Sequence, residues 1–473
     1  MANPESKVLE QVKSHATELE HAEKQVPIVD KVDYSGAHEK TDPKEIALVK
    51  KLDRWIMPML WSMYWLNYLD RNAIALARLN NLEKDLNLKG EQKEYQTCVS
   101  ILFVGYILGQ VPSNMFITRT RPSRYMGIMM MLWAVVSALT AVANDYIGLL
   151  LTRFFLGLTE SPYYPREVAT RIAILYTGNI LATAFAGLIA AGIFHGMDGL
   201  AGLAGWKWLF ILQGAVTFVI ALVGFFLLPD TPLTTKWLTQ DERDLAYNRM
   251  ELDTVDNKGE TDTLSGLKQA AKDPLVWVFA FMAHMHLAAN GFKNFFPTVV
   301  KTLGFNQTIT LVLTCPPYLI AGAVTILVSW SSGKFNERTW HITLSKAVAT
   351  IGFVAAGATL NLAGRYVSMV IFTIGTYGVN SLILAWCGSV CGQTKEKKAV
   401  AISIVTMIMN VSFVWTPYLW PASDEPRYLI AMASSAAFSV ATALMAWLAR
   451  FICQRKNTKI RAREDETTNF YVY

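Results

Sequence analysis

The stretch that decides the fold is WIMPMLWSMYWLNYLDRNAIALA, residues 55–77. It is an apolar run of the length that a bilayer-spanning helix requires. It nevertheless carries the adjacent charges Asp70 and Arg71, with Asn67 and Asn72 beside them. One charge at the centre of a bilayer costs about 2.5–3.5 kcal/mol on insertion scales. Two neighbouring charges in one span therefore require partners, a water-filled cavity, or both.

A second apolar stretch, residues 146–165 (YIGLLLTRFFLGLTESPYYP), offers such partners because it contains Arg153 and Glu160. The spacing places Arg153, Gly157 and Glu160 along one face of a helix. The glycine removes side-chain bulk between the two charges, so another helix or a ligand is able to approach. Charged side chains inside membrane helices indicate a functional site by default. The alternative is a salt bridge that fixes helix packing, and the two roles are compatible.

The composition indicates a membrane protein rather than a soluble one. Of 473 residues, 52% are hydrophobic and 17% are charged, whereas about a quarter of the residues of soluble proteins are charged. The charges are concentrated at both ends and in one central block. Because helices satisfy their own backbone groups in lipid, we predict an all-α membrane protein. The net charge of +6 does not indicate nucleic-acid binding, since basic residues collect on cytoplasmic loops.

Twelve apolar segments predict twelve transmembrane helices in two bundles of six. The predicted parts are a disordered cytoplasmic tail at 1–50, a first bundle at 51–228, a cytoplasmic linker at 229–273, a second bundle at 274–452 and a cytoplasmic tail at 453–473. In the linker, Thr239 and Glu242 match the capping box of a helix start. The short basic turns are predicted to be cytoplasmic, although the outer loop 78–94 is also fairly basic. The equal lengths of the halves suggest two repeats.

No cofactor and no metal site is predicted. The five cysteines lie in or next to apolar segments, away from other metal ligands, and we interpret them as small apolar side chains. A glycine-rich phosphate loop and a clustered set of histidine, cysteine and carboxylate residues are both absent from the sequence. We therefore do not expect an enzyme.

Four motifs resemble a known family. They are LNYLDRNAIALARLNNLEKDL (66–86), VGYILGQVPSNMF (104–116), RFFLGLTESPYYP (153–165) and WTPYLWPASDEPRY (415–428). Together they resemble the major facilitator superfamily, and within it the anion:cation symporter branch that includes fungal allantoate-permease-type transporters. The resemblance implies two six-helix bundles around a central cavity that opens alternately to the two sides of the membrane.

The resemblance also implies roles for the charged residues. In proton-coupled relatives the acids of helices one and four carry protons, and the neighbouring arginines bind the substrate anion. The matching acids here are Asp70 and Glu160, and the matching arginines are Arg71 and Arg153. We expect Glu160 to be the better coupling residue, because it lies farther from its own arginine along the chain.

The implied function is proton-coupled uptake of a small organic anion, such as an allantoate-, nicotinate-, pantothenate- or biotin-type acid. Efflux of a small metabolite or drug is the alternative, and a nutrient sensor with a transporter fold is a further one. The expected partners are the organic anion, protons and the lipid bilayer. The expected form is a monomer in the plasma membrane.

The sequence departs from the family after helix four. In relatives the SPYYP-like element continues further before the basic turn, whereas here Pro165 is followed at once by Arg166 and Glu167. Pro162 and Pro165 also weaken the helix end, since proline removes a helix hydrogen bond. Either the fourth helix is truncated, or this sequence is a spliced or mispredicted form.

Further polar residues are candidates to line the cavity and bind substrate. They are Asn67 in helix one, His284, Asn290 and Asn294 in helix seven, Tyr377 and Asn380 in helix ten, and Asn410 in helix eleven. The alternative for each is a packed polar residue or a helix–helix hydrogen bond. Trp415, Tyr418 and Trp420 are expected in an interfacial aromatic belt.

Overall fold

The computed structural model describes residues 43–89, 93–117, 120–161, 169–229, 235, 237–255, 263–392 and 395–461. Its long helices are α1 Pro43–Ala77, α2 Glu94–Ile117, α3 Pro122–Leu139, α4 Tyr146–Glu160, α5 Ala169–Met197, α6 Gly205–Leu227, α7 Pro274–Ala289, α8 Gln307–Phe335, α9 Thr339–Ala358, α10 Leu362–Val390, α11 Lys395–Trp415 and α12 Leu429–Arg461. Two shorter helices, Gln240–Val255 and Thr263–Lys272, lie between α6 and α7. This order confirms the predicted all-α fold of twelve helices.

Helix α4 is short. Nine helices of the described chain are long and apolar enough to cross a membrane, and α4, with 15 residues, is not among them. At 1.5 Å per residue it rises about 22 Å, against about 30 Å for the hydrocarbon core of a bilayer. It ends at Glu160, while Pro162 and Pro165 lie outside the described residues.

Polar side chains fix the starts of several helices. The side chain of Asp145 accepts a hydrogen bond from the backbone N–H of Gly148 at 2.8 Å, at the start of α4. Asn306 caps the N-terminal end of α8 in the same way, and Asn361 caps that of α10. Such caps satisfy backbone donors that have no partner within the helix.

Helix α1 begins before the predicted first span. It starts at Pro43, so residues 43–50, which we expected to belong to a disordered tail, are helical. Leu48 on this extension is buried against Leu238 and Ala246 of the linker region. The N-terminal extension of α1 therefore packs against the linker region.

The predicted capping box starts the linker helix. The backbone N–H of Thr239 donates to Oε2 of Glu242 at 2.9 Å, and the N–H of Glu242 donates to the Thr239 hydroxyl at 3.4 Å. Glu242 also pairs with Lys51 of α1 at 2.7 Å. The hydrogen bond from Lys51 contributes most to lowering the pKa of the Glu242 carboxyl.

We expect the linker, residues 229–273, to lie in the cytoplasm together with both termini. The basic turns of the sequence favour this orientation. The check is protease or glycosylation-site mapping in sealed membranes, with a site engineered in loop 78–94 as the control for the opposite side. Glycosylation of a site placed in the linker would contradict the predicted topology.

The helices pack mainly within each half. Helix α2 packs on α4, α3 on α6, and α1 on α5 and α6; in the second half α9 packs on α10 and α12, and α7 on α11 and α12. The two halves meet where α5 packs on α8 and α2 packs on α11. These two helix pairs therefore form contacts across the interface between the halves.

The halves are joined at the end where α1 finishes. The guanidinium carbon of Arg78 lies 4.4 Å from the ring centre of Tyr95 and 6.0 Å from that of Phe295. The amide of Gln96 donates to the carbonyl of Trp420 at 3.2 Å. Trp420 is 2% exposed and stacks on Phe295 at 5.3 Å. The expectation that Trp420 belongs to an interfacial belt is therefore wrong, because its ring packs in the interior.

Asp273 joins three helices at the start of α7. It accepts a hydrogen bond from the backbone N–H of Leu275 and pairs with Lys397 at 2.6 Å and Lys456 at 3.3 Å. Burial acts to raise the pKa of Asp273, but the hydrogen bond from Lys397 and the other contacts outweigh it, so the pKa is lowered. The stabilisation is therefore present above the ordinary carboxyl pKa and is lost as the pH falls through the lowered value.

Glycines allow α2 and α4 to touch. A Cβ atom at Gly157 would collide with the carbonyl oxygen of Leu102, and one at Gly105 would collide with that of Phe154. Both contacts are to backbone atoms, which are unable to move aside. The predicted role of Gly157, to let another helix approach, is what this packing shows.

Gly157→Val should separate α2 from α4 and destabilise the first half. Overpacking of this kind costs about 1–3 kcal/mol or more, so we expect a lower unfolding temperature of the purified protein. Gly192→Val on α5 is the matched control, since no atom lies within 4 Å of its added Cβ. Equal unfolding temperatures for the two variants would show that the α2–α4 contact is not tight.

Candidate functional site

The charges of α1 and α4 meet inside the first half. Asn67 and Arg71, one turn apart on α1, both donate to Oε1 of Glu160 on α4, Arg71 through its Nε at 2.6 Å. Glu160 is 1% exposed, and its Oε2 has no hydrogen-bond partner in the described chain. A charge-assisted bond in such a low-dielectric interior is strong. The pair therefore ties α1 to α4 inside the first half.

Asp70 and Arg153 lie buried beside this pair. Each is 1% exposed. Neither carboxyl oxygen of Asp70 and none of the three guanidinium nitrogens of Arg153 has a hydrogen-bond partner among the residues that the structure describes. Electrostatic interactions connect Arg153 to both Asp70 and Glu160, and its guanidinium carbon lies 5.4 Å from the ring centre of Phe210. Arg153 thus has unused donors in the interior of the bundle.

Arg71 is the most exposed charged side chain of the group. Its side chain is 18% exposed, against 1% for Glu160. Its guanidinium carbon lies 5.4 Å from the ring centre of Tyr68 and 5.0 Å from that of Tyr106. These rings stabilise the cation by cation–π contact.

A small cavity of about 20 Å³ lies between the halves, and its lining includes Asn72, the residue that follows Arg71 on α1. Its polar or aromatic lining comprises Asn72, Thr183, Lys293, Thr314 and Tyr318. Such a volume holds about one water molecule. An organic anion therefore requires the two halves to separate, as a carrier with alternating access does.

Lys293 is a cavity residue that the sequence reasoning missed. It lies in the 3₁₀ turn Asn290–Asn294 that follows α7. Its Nζ is 4.2 Å from the ring centre of Tyr377, and its charge interacts with that of Arg71. The signal was present in the sequence, since a lysine inside an apolar segment has the same significance as Asp70.

The structure places the asparagines of α7 near this lysine. Asn290 is buried and its amide donates to Nε2 of His286 at 3.2 Å. Asn294 ends the same 3₁₀ turn as Lys293, and its amide nitrogen has no partner in the described residues. The side-chain oxygen of Asn290 also has no partner in the described residues, so each asparagine keeps one unused polar group.

Some of the remaining candidates are hydrogen-bonded within the protein, and another has a polar atom that is unpaired among the described residues. His284 uses both ring nitrogens, because the indole of Trp415 donates to Nε2 at 3.3 Å and Nδ1 bonds the carbonyl of Ile408 at 2.8 Å. Asn410 donates to the carbonyl of Thr406, one turn back on α11, at 2.8 Å. The side-chain oxygen of Asn380 has no partner in the part of the chain described. In this state His284 and Asn410 pack the second half, while Asn380 keeps an unused acceptor.

Fold and site together define a membrane transporter: helices that span a bilayer, a buried charged site, and a cavity between two halves. A model of the Major Facilitator Superfamily matches residues 60–417. The chain belongs to this superfamily.

Two fungal transporters illustrate the similarity in sequence. The Major facilitator-type transporter hxnP of Emericella nidulans is 30% identical over 447 residues, which cover 89% of this chain and 88% of hxnP. The pantothenate transporter liz1 of Schizosaccharomyces pombe is 25% identical and is matched over 81% of this chain and 78% of its own length. Both are transporters rather than enzymes.

Solved structures share the fold. A bacterial homolog of the human lysosomal transporter Spinster, in an inward-facing conformation, has a TM-score of 0.66 at 15% identity and covers 87% of this chain and 98% of its own. A D-xylose–proton symporter has a TM-score of 0.61 at 17% identity, with 83% and 97% covered. At such identities the likeness concerns the fold alone.

Proposed function

We propose that the protein takes up a small organic anion together with protons, as a secondary active transporter of the anion:cation symporter branch. The observation that carries the proposal is the pair between Glu160 and Arg71. Glu160 is buried and able to bind a proton, while the side chain of Arg71 is partly exposed, at 18%. Glu160 therefore offers a site for the proton, and its bond to Arg71 controls whether that arginine is able to bind the anion.

The coupling follows from this contact. When Glu160 takes up a proton, its attraction for Arg71 weakens and the guanidinium becomes available to a substrate carboxylate. An anion that occupies Arg71 weakens the same pair and so favours protonation of Glu160. By linkage the two effects are equal in size. Proton and anion then bind together, which is symport.

The relatives favour a carboxylate substrate. One of them is named as a pantothenate transporter, and pantothenate carries a carboxylate that a guanidinium binds through two hydrogen bonds. Within this proposal, Asp70 is a second proton-binding acid and Arg153 a second anion-binding base. We assign uptake to a monomer in the plasma membrane, as for allantoate-permease-type carriers.

The test is uptake of labelled pantothenate, nicotinate, biotin and allantoate in a host that lacks its own carriers for them. Accumulation of at least one acid that rises in acidic medium and collapses with a protonophore is the expected result. Arg71→Gln should abolish it, whereas Lys207→Gln, on a half-buried residue outside the site, should not. Failure of all four acids to accumulate, with the protein present in the membrane, would overturn the proposal.

A further inference from the structure

The membrane-embedded charges of the two halves are not balanced in the same way. In the first half, Asp70 and Glu160 accompany Arg71 and Arg153. In the second half, Lys293 has a contact with the Tyr377 ring, and no carboxylate lies within ion-pair distance of it in the described chain. A cation without a carboxylate partner in a low-dielectric site is costly. Lys293 is therefore suited to an anion supplied from outside the protein.

Lys293 of the second half lies close enough to Arg71 of the first half for their charges to interact. Lys293 lines the cavity beside Asn72, the residue that follows Arg71 on α1. Both charges are positive, so Arg71 and Lys293 repel each other. An anion between them replaces this repulsion by two attractions.

We propose that Lys293 is the second-half anchor of the substrate carboxylate, so that the anion is held between α1 and the turn after α7. This inference rests on the proposed function and deepens it by assigning a residue that none of the family motifs contains. When Glu160 is protonated, Arg71 and Lys293 are both without a carboxylate, and the site calls for one. When Glu160 is ionised, it satisfies Arg71 and the demand for an anion falls.

The assignment explains why the site would select acids over their neutral analogues. Tyr377 holds the Lys293 ammonium through its ring face, which leaves the three N–H donors for oxygen acceptors. A neutral amide gains little from two cations and would leave both without a counter-charge. The pair Arg71–Lys293 thus sets the charge preference, while the rest of the cavity selects shape.

The experiment compares acids with their neutral analogues in the purified full-length protein: nicotinate with nicotinamide, and pantothenate with pantothenol. We expect the protein to bind at least one acid. Lys293→Met should lower the affinity for that acid by about ten- to a hundredfold, the value of one charge-assisted hydrogen bond. The affinity for its neutral analogue should not change. Lys293→Arg, which keeps the charge, should retain affinity within a few-fold.

Lys301→Met is the matched control, because Lys301 is exposed and lies outside the cavity. If the unaltered protein binds an acid and Lys293→Met binds it equally well, the assignment of Lys293 is overturned while the proposed function stands. If Lys293→Met and Lys293→Arg lower the affinity for the acid equally, position 293 acts through packing and the assignment is again overturned. If the unaltered protein binds none of the acids, the proposed function fails and takes the assignment with it.

Discussion

Glu160→Gln should abolish accumulation of substrate driven by a pH difference, while exchange of substrate across the membrane continues. Glutamine keeps an acceptor oxygen for Asn67 and Arg71 but carries no charge, so it imitates the protonated glutamate. Arg71 is then permanently available to the anion, and the link between proton and anion is lost. The measurement uses the purified variant in liposomes, with uptake against a substrate gradient compared with counterflow.

The size of the effect should be large, because net transport loses its driving force rather than a fraction of its rate. Glu94→Gln provides the control, since Glu94 is half-buried at the start of α2 and lies outside the charged site. A Glu160→Gln variant that still concentrates substrate when only a pH difference is applied would transfer the coupling role to Asp70. If Asp70→Asn also concentrates substrate, the carrier is not coupled to protons through these acids.

The structure changes the reason for choosing Glu160. The sequence placed it far from Arg153 along its own helix, and we inferred that it was the acid less restrained by an arginine. In the fold it bonds Arg71 of the other helix at 2.6 Å, whereas Asp70 has no hydrogen-bond partner in the described chain. The choice of Glu160 now rests on its direct contact with Arg71, the most exposed charge of the group.

The helices could be predicted because the signal for a span is local. Most of the apolar runs are long enough to predict a helix without reference to the rest of the chain. The capping box at Thr239 and Glu242 depends on residues only three apart. The burial of Trp420 could not be predicted, since it depends on Phe295, which is distant in sequence. An aromatic residue at the end of a span has the same pattern whether it faces lipid or another helix.

The site was predictable in composition but not in pairing. Two charged helices had to meet, because isolated charges in a bilayer are costly, and α1 and α4 do meet. Which acid would hold which arginine depends on helix rotation and packing. Lys293 and Lys346 show the same limit: both are visible in apolar segments, but only the fold shows that Lys346 is fully buried and that Lys293 reaches the cavity.

Arg153→Leu should impair transport severely while leaving the folded protein as stable as before, or more so. The guanidinium of Arg153 makes no hydrogen bond in the described chain, so its removal breaks none. Replacement of a whole buried ion pair by hydrophobic residues is often neutral or stabilising by about 1–4 kcal/mol, whereas removal of one partner of a bonded pair is destabilising; Arg153 has no such bonded partner in the described chain. Asp70 and Glu160 would lose its attraction, but both are able to take up a proton and remain neutral.

Arg153→Lys separates shape from charge. Lysine keeps the positive charge, but only the planar guanidinium is able to bind a carboxylate through two parallel hydrogen bonds. We therefore expect Arg153→Lys to lower the affinity for the identified substrate by about tenfold or more. The measurement is equilibrium binding, made alongside the unfolding temperature. Unchanged affinity in Arg153→Lys would remove Arg153 from the substrate site. A large fall in unfolding temperature in Arg153→Leu, with affinity intact, would assign Arg153 to packing instead: it would then hold α4 in place through its attraction to Asp70 and Glu160.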